Sequence, residues 1–475
     1  MKTDNLPKRL TIGITIFFFL SAGLLPPVLP VSSGQAFTVG EEREVGEKLL
    51  SIVQKEFNIL DDPDINDYIT NLGKETLRLA GSQFFDYHFF VIDNKEFNAF
   101  AAPSGLIFIH SGLIDICDSE GELLSVLAHE IGHAACRHIA DRIDKSSKVS
   151  IGTTALILAG ILIGQGALSE ALITGSMATG AAANLKFSRQ DEEEADRLAY
   201  KWLQEQNVNP EEMVQMLDKM RRVSRYRRAK VPTYLLTHPE PENRLGYIEE
   251  RILMDRSHTY PPPDNFAFKR IKYRVQTITK NTASLIPILE NKASEADTAK
   301  QDIMVYYGLS QAYLENKEYQ KAEDALAKVI SSYPDKHILQ TDLGRIYLEA
   351  GKKEAALKIF TDIDKINHQD IYNRYYLAKT LHQKGELARA ANIYEELTLS
   401  MPTNSRLYYD IAQIKATLGN KALGHYFMGL YNFYEGVTPT ARYHLQQALS
   451  LLEENDPTHI KSKELLAKIA RLEKL

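Results

Sequence analysis

The sequence predicts an α+β protein: a mainly helical domain carrying a small antiparallel sheet, followed by an all-α solenoid. Three observations lead there. Apolar residues recur at helical spacing along most of the chain. Short apolar runs separated by turn residues interrupt that spacing between 87 and 109. Beyond residue 300 the pattern repeats about every 34 residues. At 475 residues the chain is too long for one compact core, so two or three domains are expected. A net charge of -6 gives no bulk attraction to phosphate backbones, and nucleic acid is not an expected partner.

At the N-terminus Lys2, Lys8 and Arg9 precede an apolar run over 10–25, followed by Pro26, Pro27 and Pro30. Gly34-Gln35-Ala36 offers a small-residue cleavage site, so 1–36 reads as a signal peptide. The competing reading is an uncleaved anchor, for which the run falls short of the ~20 residues needed to span. Helices are expected over 41–57 and, after Asp61-Asp62-Pro63, along the face formed by Ile65, Tyr68, Ile69, Leu72 and Leu77. Runs at 87–92, 97–101 and 106–109, punctuated by Asp93-Asn94 and Pro103-Ser104-Gly105, read as the strands.

Helical spacing returns at Ser119, where Ser119 and Glu122 form a capping-box signature ahead of Leu123, Leu127 and Ile131. A second helix opens at Ser188 with Asp191 three residues on, and Asn209-Pro210 starts a third. Between the first two lies a stretch rich in Gly, Ala, Ile and Leu, 149–185, read as an apolar helical hairpin broken around Gly164 and Gly166. It either covers the site or touches a membrane surface, since small residues favour close helix packing in both media. The stiff Tyr260-Pro261-Pro262-Pro263 places the end of the first domain, 37–262. Connecting helices follow over 263–300 and a repeat array over 301–475.

The repeats are visible residue by residue. Tyr313, Ala322, Leu326 and Pro334 are followed by Tyr347, Ala356 and Phe360, and again by Leu381, Ala390, Tyr394 and Pro402. Gly351, Gly385 and Gly419 fall at the turns between paired helices, the period of the tetratricopeptide repeat (TPR). The phase slips after Gly419 and resumes with Gly436, Ala441, Leu445 and Ala448. Such stacks present concave surfaces to protein partners. Cys117 and Cys136 would stand about 25 Å apart on an unbroken helix, beyond disulfide reach, and read as free thiols.

The strongest chemical signal is His129-Glu130-Ile131-Gly132-His133 on the capped helix. Histidines four apart share a face, so both imidazoles can point at one ion while Glu130 reaches a water beside it. A catalytic zinc wants three protein ligands and an open position. Ile139 stands where a third histidine would in one such pattern, His138 is one place out of register, and Cys136 lies far along the helix. The acidic run Glu192-Glu193-Glu194-Ala195-Asp196 is the better source. There Glu192 and Asp196 share a face, so Glu192 can bind the metal while Asp196 orients a ligand histidine.

On these residues the chain resembles the HtpX/BepA-like gluzincin metalloproteases, and among them the periplasmic BepA-like proteases with a C-terminal TPR domain. The resemblance rests on Asn98-Ala99-Phe100-Ala101 with Gly105, on 129–133, on Ser188-Arg189 with Glu192, Ala195 and Asp196, and on His238-Pro239 with Pro241. It implies one Zn2+ held by His129, His133 and Glu192, with Glu130 as general base, and places the apolar hairpin near the site. His238 is expected either to donate to the growing charge on the carbonyl oxygen or to occupy the open zinc position and keep the enzyme latent. Substrate backbone is expected to add as a strand along Asn98, Ala99, Phe100 and Ala101, which favours extended or unfolded chains. The expected function is an exported, periplasmic endopeptidase acting on unfolded or misfolded proteins in envelope quality control, with a partner on the repeats. A TPR chaperone with an idle or structural zinc site, and an integral membrane metalloprotease, are the competing readings.

Overall fold

The computed structural model describes residues 37–145, 150–163, 186–226, 233–239, 241–255, 258–295 and 302–475. The expected signal peptide, and the break of the expected apolar hairpin at Gly164 and Gly166, lie outside them. Helix α1 (Val39–Glu56) starts at Thr38, whose hydroxyl accepts from the Glu41 N–H while the Glu41 carboxylate accepts from the Thr38 N–H. Helix α2 (Pro63–Ala80) starts at Asp62, whose carboxylate accepts from the Asp64 and Ile65 N–H groups.

Three strands follow, β1 (His88–Ile92), β2 (Ala99–Ala102) and β3 (Leu106–His110), in the spatial order β1-β3-β2. The β2–β3 pair is an antiparallel hairpin, as expected, turned through Ser104 and Gly105, both at positive φ. The sheet is not antiparallel throughout: β1 runs parallel to β3, from His88 opposite Leu106 to Ile92 opposite His110. Every residue of β3 is buried, and a strand apolar along its whole length gains most from the central position. Segment 93–98 therefore carries the chain past β3 before β2 begins, leaving β2 at an edge.

Helix α3 (Ser111–Ile116) leads into α4 (Glu120–Ala135), capped by Ser119 as expected. The second arm of the expected capping box differs: the Glu122 carboxylate accepts from the Asp118 N–H and pairs with Lys219, not with the cap residue. After Ala135 the chain turns at Arg137, at φ 56, into α5 (His138–Lys145). Helix α6 (Ile151–Ile163) packs on α1 and buries Ala155, Leu158, Ala159 and Leu162. Among the described residues no helix is long and apolar enough to cross a membrane. Helix α7 (Arg189–Glu205) carries the full Ser188–Asp191 capping box, and α8 (Glu211–Tyr226), α9 (Thr233–Thr237) and α10 (Pro241–Met254) complete the first domain.

Helices α11 (Phe266–Thr279) and α12 (Thr282–Glu295) connect to the repeats. Helix α11 is shared: Phe268, Ile271 and Val275 enter the core of the first domain, whereas Phe266 and Tyr273 enter that of the first repeat. The repeat helices are α13 (Met304–Glu315), α14 (Tyr319–Ser332), α15 (Ile338–Glu349), α16 (Lys353–Ile366), α17 (Ile371–Gln383), α18 (Leu387–Ser400), α19 (Ser405–Thr417), α20 (Lys421–Tyr434), α21 (Thr438–Leu451) and α22 (Pro457–Lys474). Gly351, Gly385, Gly419 and Gly436 take the left-handed turns between helices, and Lys317 takes the same turn in the first pair. The phase slip has a simple form: Gly436 turns the chain one helix after Gly419, so α20 is flanked by such a turn at both ends.

Two of the seams between the halves, among the described residues, are built from charged groups. At one, the guanidinium of Arg274 forks onto Asp62 at 2.9 and 2.8 Å and donates to the Tyr372 hydroxyl at 3.0 Å, while Arg270 pairs with Asp64 and lies 3.6 Å from Asp342. At the other, α22 returns to α1, where Lys48 donates to the Leu472 carbonyl and Lys468 and Arg471 pair with Glu47.

Candidate active site and metal centre

Two helices cross to build the centre. Helix α4 meets α7 at Gly132, where an added Cβ would lie 3.1 Å from the Ala195 Cα. A Cβ at that distance would be an unusually tight contact, so a residue without a side chain suits the close approach of the two backbones. Ala195 lies between Glu192 and Asp196, so the close approach delivers both carboxylates to the histidine face of α4. His129 and His133 face each other through Nε2 at 3.0 Å, and Glu192 lies 3.5 Å from His129 Nε2 and 3.6 Å from His133 Nε2. Asp196 sits behind His129, 2.7 Å from Nδ1, the place of a carboxylate that fixes the ring. His238 joins the cluster, with Nδ1 2.9 Å from Glu192 and Nε2 3.5 Å from Glu130.

Glu130 points the other way, onto the sheet, where its Oε2 accepts from the Ala101 N–H at 2.9 Å. Because Phe100 pairs with Phe108 and Asn98 accepts from the His110 N–H, the Ala99 and Ala101 backbones face the free edge of β2. Asn98, Ala99, Phe100 and Ala101 are all buried, and Asn98 Nδ2 has no hydrogen-bond partner. Cys136 and His138 stay outside the donor set, although His138 Nδ1 lies 2.9 Å from His133 Nδ1.

Several partners were not read from the sequence. Arg244 forks onto Asp196 at 2.8 and 2.7 Å and lies 2.9 Å from Glu192. Tyr234 stacks on His238 at 4.2 Å, Phe187 stacks on His133 at 3.8 Å, and the Tyr247 hydroxyl donates to Asp196. Arg244 did leave a sequence signal: it occupies a core place in the stripe Pro241, Arg244, Leu245, Ile248, and a charge there needs a buried partner.

The electrostatics follow from this packing. Burial alone would raise the Glu192 carboxyl, but His238 and Arg244 hold it well below the ordinary range. Burial and the Arg244 charge work against protonation of His129, yet Asp196 and Glu192 hold its imidazole up to about 9. Burial pushes the Glu130 carboxyl up, only partly offset by His238 and His129. His133 is held well below its usual value by burial and by His129.

These residues fit a zinc ion. Ligand atoms of His129, His133, Glu192 and His238 all lie within 4.8 Å of one another, Glu130 Oε1 and His238 Nε2 are buried with no hydrogen-bond partner, and Glu192 Oε2 is met by the Arg244 guanidinium. Each such orphan costs about 1–3 kcal/mol unless a cation or a substrate group satisfies it. Two imidazoles and a carboxylate are a donor set of catalytic zinc.

Comparison with known proteins agrees. Residues 63–252 match peptidase family M48, and 313–380 match a tetratricopeptide repeat. The chain is 27% identical to the beta-barrel assembly-enhancing protease of Escherichia coli (strain K12), over 88% of this chain and 85% of that protein. It is 27% identical to the Yersinia pestis protein of the same name, over 84% and 82%. A putative beta-barrel assembly-enhancing protease of Vibrio cholerae is 30% identical over 66% of this chain and 64% of its own length. Among solved structures, a tetratricopeptide repeat protein from Parabacteroides merdae is 15% identical at a TM-score of 0.28, covering 54% of this chain and 99% of its own. A donor set fit for a metal ion, Glu130 beside it and the family match over the domain that holds them lead to one identification: the chain is a metalloprotease with a peptidase family M48 domain joined to tetratricopeptide repeats, similar over most of its length to the beta-barrel assembly-enhancing proteases.

Proposed function

We propose that the chain is an exported endopeptidase of the bacterial periplasm that cleaves unfolded or misassembled proteins in envelope quality control. Its repeats would hold a protein partner, in keeping with relatives named for beta-barrel assembly. The observation that carries the proposal is the meeting of His129, His133 and Glu192 from two helices, with Glu130 between that cluster and the edge strand. His129, His133 and Glu192 are assigned as ligands, and Asp196 as the group that orients His129. Zinc held there supplies a Lewis acid for the scissile carbonyl and lowers the pKa of water.

The chain's own groups account for the rest. A substrate strand laid along Asn98, Ala99, Phe100 and Ala101 passes Glu130, whose free Oε1 accepts a proton and returns it to the leaving amine. Glu130, raised by burial, is suited to that shuttle. Of the two roles expected for His238, the geometry favours latency. Its Nδ1 lies within the donor set, and every ligand residue is buried, so a substrate gains the site only when His238 leaves.

The test compares Glu130→Gln and His238→Ala on an unfolded polypeptide. Glu130→Gln is expected to cut about 10²–10⁴-fold more slowly with zinc retained, and His238→Ala to cut faster than wild type. Wild-type cleavage by Glu130→Gln would overturn the assignment of the base. Slower cleavage by His238→Ala with unchanged zinc affinity would return His238 to the role of donor.

A further inference from the structure

We propose that Cys136, His138 and Glu194 form a second cation site, for zinc or an ion of similar softness, beside the catalytic centre. Helix α4 ends at Ala135, Cys136 is its cap, and the left-handed turn at Arg137 reverses the chain so that His138 opens α5 against α7. That turn brings the thiol and the imidazole to Glu194. Ligand atoms of the three residues, the Cys136 thiol among them, lie within 4.8 Å of one another, and His138 Nε2 is 3.5 Å from the Glu194 carboxylate. Glu193, the neighbour of Glu194 on α7, is exposed, the ordinary fate of an acidic side chain on a helix surface.

A thiolate, an imidazole and a carboxylate are three donors, and water can supply the fourth. The thiolate selects zinc over magnesium or calcium. Cys136 and Glu194 are half-exposed, so an ion reaches this cluster from solvent, unlike the sealed catalytic donors.

The two sites share a hydrogen bond, and their coupling rests on the catalytic reading above. When His133 offers Nε2 to a cation, its proton sits on Nδ1 and is donated to His138 Nδ1, 2.9 Å away. His138 then keeps its own proton on Nε2, facing Glu194. An ion that takes Nε2 drives that proton to Nδ1 and sets N–H against N–H. Filling the second site therefore loosens the first, and the coupling is reciprocal.

The test titrates the metal-free full chain with cobalt(II), reading bound ions by equilibrium dialysis and thiolate coordination by its charge-transfer absorption. Wild type is expected to take two ions per chain, the weaker giving the absorption. Cys136→Ala and Cys136→Ser, checked for folding by circular dichroism, are expected to take one ion and give none. Glu192→Gln is expected to lose the tighter ion and keep the absorption. One ion and no thiolate absorption in wild type overturns the second site and leaves the catalytic one standing. Two ions in both Cys136 variants overturns it as well. Absorption retained in wild type with Glu192→Gln still binding both ions refutes the catalytic ligand set and supports the second site.

Discussion

Removing Arg274 should cost far more than its surface counterparts. Its side chain is 1% exposed, forks onto Asp62, donates to the Tyr372 hydroxyl and lies 4.7 Å over the Tyr372 ring. Arg274→Ala would leave Asp62, Asp64 and Asp342 around one close guanidinium, that of Arg270. Breaking a buried pair in this way costs about 3–5 kcal/mol because the surviving charges stay buried and unpaired. Lys365→Ala, which removes an exposed pair with Asp362, should cost about 0–1 kcal/mol. At a urea m-value of about 3 kcal/mol/M, the Arg274→Ala midpoint falls by about 1–1.7 M while the control hardly moves. Equilibrium unfolding followed by circular dichroism reads both. If the two variants shift the midpoint equally, the joint between the protease and its repeats is not held by this network.

Burial pushes the Asp61 carboxyl up to about 6, with the Ser405 hydrogen bond working against it. The folded chain therefore keeps a proton that the unfolded chain gives up near its ordinary value of about 3.9, and this residue's contribution to stability is lost as pH rises from about 4 to about 6. Asp61→Asn should match wild type near pH 4 and melt higher near pH 7; identical pH profiles of the thermal midpoint would refute that. Gly132→Val should force α4 and α7 apart, since even a methyl group meets the Ala195 backbone. A stability loss of about 1–3 kcal/mol is expected, accompanied by weaker zinc binding; normal zinc affinity in the Gly132→Val variant would show that the close crossing does not position Glu192.

Periodicity carried much of this architecture. Four-residue spacing put His129 with His133 and Glu192 with Asp196 on shared faces, and the glycine rhythm marked three of the repeat turns. What escaped were pairings across long separations. Nothing local to Asp62 or Arg274 shows that they meet across more than two hundred residues, and the parallel β1–β3 pair depends on which strand becomes most buried. Arg244 lay hidden because a helical stripe reveals that a position is inward without revealing what it faces. In sequence His138 is one place out of register and Cys136 lies far along an unbroken helix, whereas the turn at Arg137 brings His138 beside His133. His238 gave no periodic clue at all; it joins the centre from a short turn after α9.

The most direct test of the central claim is anomalous scattering at the zinc edge from crystals of the wild-type chain. A strong peak bounded by His129, His133 and Glu192 is predicted, whatever the occupancy at Cys136. A map with no peak among those three residues would contradict the account.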